Sequence, residues 1–345
     1  MSLADEIREQ PQALARLLDR QTGAVKEIAR SLSGRAIDTV FIAARGTSDN
    51  AAVYAKYVWG AFNRVPVVLA APSLFSVYGK PPLLRNALVV GVSQSGQSPD
   101  IVGVLEEARR QGAPTLAIVN EPQSPLAKAA DSVIDICAGP EKAVAATKSY
   151  TTQLAAIAML SAAVGNDEQR WSELQKVPDL VAKALELDPV IEERAERYRF
   201  MAHCVVLGRG FNYATAFEWA LKLKELTYVI AEPYSSADFQ HGPVAMVDRG
   251  FPVFAVAPGG AVFDDTLQLL ARLREEKQVE LLVVSDREEA LSLAHAPLRL
   301  PAGETEWLTP IVAIAPAQLF CYHLTRAKGY DTEAPRGLRK VTLTR

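Results

Sequence analysis

Cysteine is scarce in this sequence. Three cysteines occur among the 345 residues, Cys137, Cys204 and Cys321, and their spacing forms no CxxC pair. A disulfide scaffold and a cysteine-ligated metal cluster both need grouped cysteines, so neither is expected. We predict that the three cysteines are reduced packing residues of a cytoplasmic protein.

The sequence also lacks an excess of charge and a long apolar run. The net charge is −3, and no basic run is interleaved with aromatic residues, so a nucleic-acid partner is not expected. The first ten residues are acidic and contain no apolar segment, which argues against a secretory signal. The apolar stretch 154–165 is too short to cross a bilayer, so we predict a core helix and no membrane association.

Strand-like and helix-like segments alternate along the first half of the chain. Apolar residues make up 49% and charged residues 22%, as in an ordinary globular protein, and the length allows two domains. Short apolar runs separated mostly by helical stretches occur at 38–44, 67–70, 87–92, 115–119 and 132–136. This alternation is typical of a parallel sheet covered on both faces by helices.

The second half repeats this design at a fixed offset. Ala44-Arg45-Gly46 recurs as Gly208-Arg209-Gly210, and Ala138-Gly139 as Ala302-Gly303, both 164 positions further on. We therefore predict an α/β protein of two tandem three-layer αβα units, each with a mainly parallel sheet, related by internal duplication. The predicted parts are an N-terminal helical segment (1–35) that is broken near Gln10-Pro11, a first unit (36–165), a helical connector (166–199), a second unit (200–330) and a C-terminal tail (331–345).

One predicted helix in the second unit carries an unusual charged stripe. At 100° per residue Glu218, Lys222 and Glu225 share one face, and apolar residues cover nearly all the rest from 214 to 226. A helix that is apolar on most sides is normally buried, so the stripe is expected to face a polar cavity. An exposed ladder of ion pairs is the alternative, and the helix sequence alone does not decide between them.

A histidine follows this helix on a loop whose shape is set by glycine and proline. The segment from Pro233 continues through small polar residues to His241-Gly242-Pro243. A carboxylate on a rigid helix and a histidine on such a loop form an acid-base pair in principle. A single histidine is more often structural, which is the alternative.

A hydroxyl-rich loop after a buried strand is a candidate phosphate site. Residues 89–99, VVGVSQSGQSP, run from a strand into a helix, and the backbone N–H groups and serine hydroxyls of such a turn bind anions. It is neither a P-loop nor a GxGxxG motif, so a nucleotide is not implied. The alternative is a simple N-cap by Ser98. The second copy has Ala257-Pro258-Gly259-Gly260 here, without hydroxyls, so we expect the first copy to hold the ligand.

Several motifs together resemble one known family. They are ARGTSDN, SQSGQSPD, EKAVAATKSYTTQL, LGRG, ALKLKE, AEPYSSADFQHGP and PRGLRKVTLTR. The sequence is similar over essentially its whole length to the sugar isomerase (SIS) family, and within it to the isomerase half of glucosamine-6-phosphate synthase. The resemblance implies a phosphorylated amino sugar as substrate, a homodimer with composite active sites, and no metal or other cofactor.

The resemblance also implies a role for each matching residue. Glu225 matches the base that moves a proton between sugar carbons 1 and 2, and Lys222 the neighbouring cation that stabilises the developing enolate. His241 matches the ring-opening acid-base, which comes from the partner subunit, and Lys340 a tail lysine that forms a Schiff base with the open sugar. Val144 matches a residue that lines the sugar pocket. The phosphate- and sugar-binding positions are Thr47, Ser48, Ser93, Gln94, Ser95 and Ser98.

The sequence departs from the family pattern in three places. Ala146 stands where the synthase has a serine, and Gly337 replaces an asparagine of the tail. The glutaminase domain with its N-terminal cysteine has no counterpart, so we do not expect ammonia to come from glutamine by that route. The leading hypothesis is a glucosamine-6-phosphate isomerase and deaminase.

Three other functions remain open at this point. The isomerase could work in the synthetic direction with free ammonia or with a separate glutaminase chain. It could also be a deglycase that cleaves sugar-phosphate adducts of amines. A phosphosugar-binding sensor is the alternative outside the enzymes; against it, the sequence has no DNA-binding segment and keeps Lys222, Glu225, His241 and Lys340.

Overall fold

The chain packs into two compact units in the computed structural model, which describes residues 2–303 and 305–340. The N-terminal unit contains 9–141, 148–176 and the tail from Arg339, and the C-terminal unit contains 2–8, 142–147 and 177–338. The predicted helical segment 1–35 and the predicted connector 166–199 therefore each contribute to both units. The end of the predicted tail, 341–345, lies outside the described residues.

The N-terminal unit is built on a parallel sheet whose three inner strands are almost wholly buried. The strands are β1 Thr39–Ala43, β2 Val67–Leu69, β3 Ala87–Ser93, β4 Thr115–Val119 and β5 Ser132–Asp135, in the order β2-β1-β3-β4-β5. The helices are α2 Gln10–Leu32, α3 Thr47–Asn63, α4 Ser73–Ser76, α5 Pro99–Arg110, α6 Pro125–Ala129, α7 Lys148–Val164 and α8 Glu168–Leu174. The continuous apolar strands are buried because helices cover both faces.

The C-terminal unit has a second parallel sheet. Its strands are β6 His203–Gly208, β7 Ile230–Ser235, β8 Pro252–Val256, β9 Glu280–Ser285 and β10 Ala296–Arg299, in the order β10-β9-β8-β6-β7. Its helices are α1 Leu3–Arg8, α9 Val177–Leu185, α10 Asp188–Glu196, α11 Tyr213–Lys222, α12 Phe263–Glu275, α13 Glu288–Leu291 and α14 Thr309–Ala327. A π-helical turn, Leu223–Thr227, continues directly from α11.

The two sheets have the same topology, which confirms the predicted duplication and the α/β fold class. The order β2-β1-β3-β4-β5 of the first sheet corresponds strand by strand to the order β7-β6-β8-β9-β10 of the second. β5 begins at Ser132 and β10 at Ala296, 164 positions apart, which is the offset of the repeated sequence motifs. In each sheet the chain passes from its first strand, β1 or β6, to the edge strand beside it and then returns to the other side of that first strand, so each sheet has one topological switch point.

The N-terminal helices, a long apolar helix and the cysteines can be compared with the predictions. The helices α1 and α2 are separated at Glu9, one residue before the predicted break, and α2 packs on α7. Within the described residues, one segment, Glu306–Ala327, is long and apolar enough to span a membrane, but 94% of its most apolar window is buried inside the protein. It is therefore packed as a core helix. All three cysteines are buried free thiols, as predicted.

Candidate active site

The predicted phosphate-binding residues lie at the switch point of the first sheet. β1 and β3 are neighbouring parallel strands, with Ala43 paired to Gly91. The loop after β1 leads into α3, and the loop after β3 leads into α5. Ligands of open α/β sheets bind where two such loops diverge. The residues at these two strand ends are Thr47, Ser48, Ser93, Gln94, Ser95 and Ser98.

An ion pair connects the two loops. Arg45, which follows β1, donates from Nε and Nη2 to Asp100 Oδ2 in the first turn of α5, at 3.0 and 2.9 Å. The Asp100 carboxylate is buried and the Arg45 side chain is half exposed, and both contacts are made to the same carboxylate oxygen. In the first turn of α3, burial raises the pKa of the Asp49 carboxyl, against a smaller opposing effect of Arg45.

Serine side chains of the loop after β3 form hydrogen bonds with the backbone of the same loop. The Gly96 N–H donates to Ser93 Oγ at 3.0 Å, and Gly96 has a φ of +62°. A Cβ at this position would lie 2.2 Å from Ser124 Oγ, so glycine is required for both reasons. Ser98 occupies the N-cap position of α5, but its side chain makes no capping hydrogen bond. The alternative of a simple N-cap by the Ser98 hydroxyl is therefore wrong.

The corresponding loop of the second sheet is filled by the protein's own carboxylates. The Gly259 N–H donates to Asp286 Oδ1 at 2.7 Å, and the Ala261 N–H donates to Glu306 Oε2 at 2.8 Å. Gly260 lies so close to Glu306 that a Cβ would be 2.3 Å from its Cδ. Backbone donors that would bind an anion in the first copy already have anionic partners in the second. This difference supports the hypothesis that the first copy holds the phosphate.

Helix α11 carries a buried cluster of one ammonium and two carboxylates. Lys222 Nζ lies 2.5 Å from Glu225 Oε2 and 3.5 Å from Glu218 Oε1. The side chains of Lys222 and Glu218 are 2% and 0% exposed, whereas Glu225 is 23% exposed. The alternative of an exposed ladder on a solvated helix face is therefore wrong. Glu225 is the member of the cluster that a ligand can reach.

The helix changes its geometry at this cluster. A single α-helix was expected through Leu226, but the α-helical bonding ends at Lys222 and a π turn spans Leu223–Thr227. Tyr228 then ends the turn in the left-handed region, with a φ of 57°. A π turn widens the helix by one residue, and such turns are frequent at functional sites. Glu225 lies on this turn, and its carboxylate remains in contact with the Lys222 ammonium.

Comparison with known proteins identifies the family. The SIS domain model matches residues 35–163 and 201–327, the two sheets and most of their helices. The chain belongs to the SIS domain family. The glutamine–fructose-6-phosphate aminotransferase (isomerizing) of Thermococcus kodakarensis is 35% identical over 97% of this chain. The chain spans 56% of the length of that relative.

Solved structures extend the comparison. The C-terminal domain of glucosamine-fructose-6-phosphate aminotransferase from Francisella tularensis is 31% identical, with a TM-score of 0.87, over 96% of this chain and 98% of that one. A glucosamine-6-phosphate deaminase from Thermotoga maritima has a TM-score of 0.74 and 20% identity, over 96% of this chain and 100% of that one. At that identity the second likeness shows the shared fold alone.

The SIS chain holds Lys340 through a carboxylate that the sequence did not reveal. Lys340 Nζ lies 2.8 Å from Glu141 Oε2, and the Glu141 side chain is fully buried. The same carboxylate accepts hydrogen bonds from Ser149 N and Ser149 Oγ at 3.0 and 2.7 Å. Glu141 precedes Lys340 by 199 positions, so periodicity could not connect them. The sequence signal that could have pointed to this carboxylate was an acidic residue at the start of the motif EKAVAATKSYTTQL.

The remaining predicted site residues lie in the C-terminal unit. Val144 is half-buried in segment 142–147, whose Lys142 and Ala143 amides donate to the buried Glu6 carboxylate at 2.5 and 3.2 Å. His241 is exposed and ends a 3₁₀ turn, Asp238–His241. Pro233, expected at the start of this loop, lies instead in β7, an edge strand, where a missing N–H is tolerated. Ala146 is also half-buried.

A second buried ion pair supports the first residues of α7. Lys148 is fully buried, and its Nζ lies 2.6 Å from Glu9 Oε2, while Arg16 Nη2 donates to Glu9 Oε1 at 2.9 Å. Burial alone would raise the pKa of Glu9, but the hydrogen bonds from Lys148 and Arg16 outweigh it and lower the pKa. A lowered pKa means that Glu9 stays ionised and continues to neutralise Lys148. This pair fixes the helix that follows the segment containing Glu141 and Val144.

The contrast between two N-cap serines yields a stability prediction. Ser124 Oγ accepts the Ala127 N–H at the start of α6, whereas Ser98 makes no such bond in α5. Ser124→Ala should therefore lower the free energy of unfolding by about 1 kcal/mol. Ser98→Ala should change it by less than about 0.5 kcal/mol. Urea unfolding of both variants measures the difference; equal losses would mean that Ser98 serves as an ordinary cap after all.

Proposed function

We propose that this SIS protein is a phosphosugar isomerase that interconverts aldose and ketose phosphates. The observation that carries the proposal is the buried Lys222 ammonium 2.5 Å from the partly exposed Glu225 carboxylate. Aldose–ketose interconversion needs one base to move a proton between adjacent carbons and a positive charge to stabilise the enolate that forms. Glu225 is suited to the first task and Lys222 to the second.

The phosphate of the substrate is proposed to bind at the switch point of the first sheet. Hydroxyls from the two loops and the N-termini of α3 and α5 offer donors to a dianion without a nucleotide-binding motif. The residues proposed for this contact are Thr47, Ser48, Ser93, Gln94, Ser95 and Ser98, with Val144 against the sugar.

The specific reaction we propose is the conversion of glucosamine 6-phosphate to fructose 6-phosphate and ammonia. His241 would transfer the proton that opens the sugar ring. Glu225 would take the proton from carbon 2 and return a proton to carbon 1, which leaves an imine at carbon 2. Lys340 would add to this imine and displace ammonia, and water would then hydrolyse the resulting Schiff base, which releases fructose 6-phosphate and frees Lys340. Buried free cysteines fit the reducing cytoplasm, where we propose that the reaction occurs.

The synthetic direction is the second candidate. It is favoured by the 35% identity to glutamine–fructose-6-phosphate aminotransferase over 97% of this chain. The same residues would then add ammonia to fructose 6-phosphate, and the ammonia would be free or supplied by a separate glutaminase chain. The two directions share one isomerisation and differ in the source or release of ammonia.

A panel of hexose and amino-sugar phosphates tests the proposal. We expect ammonia and ketose from glucosamine 6-phosphate, and Glu225→Gln should lower the rate by about 10²–10⁴-fold because it removes the base. Glu276→Gln, an exposed position at the end of α12, is the matched control and should leave the rate unchanged. Release of an amine from another sugar-phosphate adduct, without ammonia from glucosamine 6-phosphate, would assign a deglycase instead. Binding without turnover would indicate a sensor.

We further propose a homodimer in which His241 acts on the substrate of the neighbouring subunit. The exposed position of His241 supports this arrangement. Glu225→Gln and His241→Ala chains are each expected to be inactive. An equal mixture after subunit exchange should recover about a quarter of the wild-type rate, because half of the dimers are mixed and each has one intact site. No recovery after demonstrated exchange would mean that each site is contained in one chain.

A further inference from the structure

A buried amide in the N-terminal unit contacts one of the proposed phosphate ligands. Gln153, on α7, is 1% exposed, and its Nε2 donates to Ser48 Oγ at 3.0 Å. Ser48 is the second residue of α3, which begins at the switch point, and is itself buried. The Gln153 Oε1 atom is buried and has no hydrogen-bond partner among the residues described.

This arrangement has a cost to the folded protein. A buried carbonyl oxygen without a partner has lost its hydration and gained no hydrogen bond in return, which destabilises the folded state. A methionine of similar size would fill the same volume on α7 without it. The buried Gln153 side chain therefore stabilises the fold less than an apolar side chain of similar size would. Such positions are typical of residues that serve a site.

The direction of the hydrogen bond sets what the Ser48 hydroxyl can do. A serine oxygen that accepts one hydrogen bond still has its own proton to donate. Because Gln153 Nε2 occupies an acceptor position of Ser48 Oγ, the Ser48 proton is directed to another partner. A phosphate dianion offers only acceptors, so it binds best to a hydroxyl whose proton is available.

We propose that Gln153 is a positioning residue that holds Ser48 as a hydrogen-bond donor to the phosphate group of the substrate. This inference rests on the proposed function for the identity of the ligand. It predicts that Gln153 affects phosphate affinity through Ser48, with little effect on the chemical step.

Two Gln153 variants and one control test this inference. Gln153→Met removes the donor and should weaken binding about three- to tenfold, seen in KM for glucosamine 6-phosphate and in the Kd for inorganic phosphate. Gln153→Glu should weaken binding more, because a carboxylate would accept the Ser48 proton and repel the phosphate. Neither should change kcat more than about twofold. The control is Thr152→Val, whose buried hydroxyl bonds to the Lys148 carbonyl of its own helix, and which should leave KM unchanged.

A double-mutant cycle with Ser48→Ala separates positioning from structure. If Gln153 acts through Ser48, Gln153→Met should have no further effect on phosphate binding once Ser48 is alanine. It should also raise the unfolding midpoint or leave it unchanged, because it removes the unpaired carbonyl. Additive effects on binding, or a lower midpoint with unchanged phosphate affinity, would overturn the inference.

The phosphate measurement distinguishes this inference from the proposed reaction. Ser48- and Gln153-dependent binding of inorganic phosphate without sugar turnover would keep the positioning role and reject the reaction. Turnover of glucosamine 6-phosphate with an additive cycle would keep the reaction and reject the positioning role. A wild-type chain that binds no phosphate would overturn both. Should Gln153→Glu fail to fold, the Gln153→Met cycle alone gives the answer.

Discussion

The structure depends on an ammonium group held inside the C-terminal unit between two carboxylates. An ionised lysine that is 2% exposed must be compensated, and removal of one partner of a buried pair typically costs about 3–5 kcal/mol. Lys222 has two such partners, Glu218 and Glu225. If Glu225 takes up a proton, Glu218 still neutralises the ammonium. The cluster can therefore lose one negative charge during a reaction without leaving Lys222 uncompensated.

The geometry of the helix determines which carboxylate is available. Glu218 is one regular turn before Lys222 and is completely buried, so it serves as the constant counter-ion. Glu225 is on the π turn and remains partly exposed. A regular α-helix would continue the 100° spacing, whereas the wider turn changes the direction of the residues that follow Lys222. The fully buried carboxylate thus lies on the regular helix and the partly exposed one on the π turn.

Duplication produced two switch points with different contents. In the first sheet the loop after β3 carries serines, and the N-cap hydroxyl of α5 makes no capping bond. In the second sheet Asp286 and Glu306 accept hydrogen bonds from the corresponding loop. Two anions cannot share one set of backbone donors, so the second switch point is closed to a phosphate by the protein's own side chains. In the proposed reaction, the first SIS copy thus supplies the phosphate-binding loops and the second supplies Lys222 and Glu225.

The sequence predicts the architecture well because its signals are local or periodic. The strands β1 to β5, the break between α1 and α2 and the offset between β5 and β10 follow from apolar runs and a repeat. The π turn could not be foreseen, since the apolar pattern continues through Leu226. The contacts of Glu141 with Lys340 and of Glu306 with Ala261 join residues 199 and 45 positions apart, and only the tertiary fold brings them together. Gln153 gave a weak signal as an amide within an apolar helix.

The central claim is that Glu225 breaks the bond between hydrogen and carbon 2 of a sugar phosphate. The most direct test follows glucosamine 6-phosphate deuterated at carbon 2 by NMR during incubation with the enzyme. The account predicts that the wild-type protein transfers this deuterium to carbon 1 or releases it to water as ketose forms, and that Glu225→Gln leaves it in place. Loss of the deuterium at the wild-type rate in Glu225→Gln, or ammonia release with the deuterium still on carbon 2, would contradict the account.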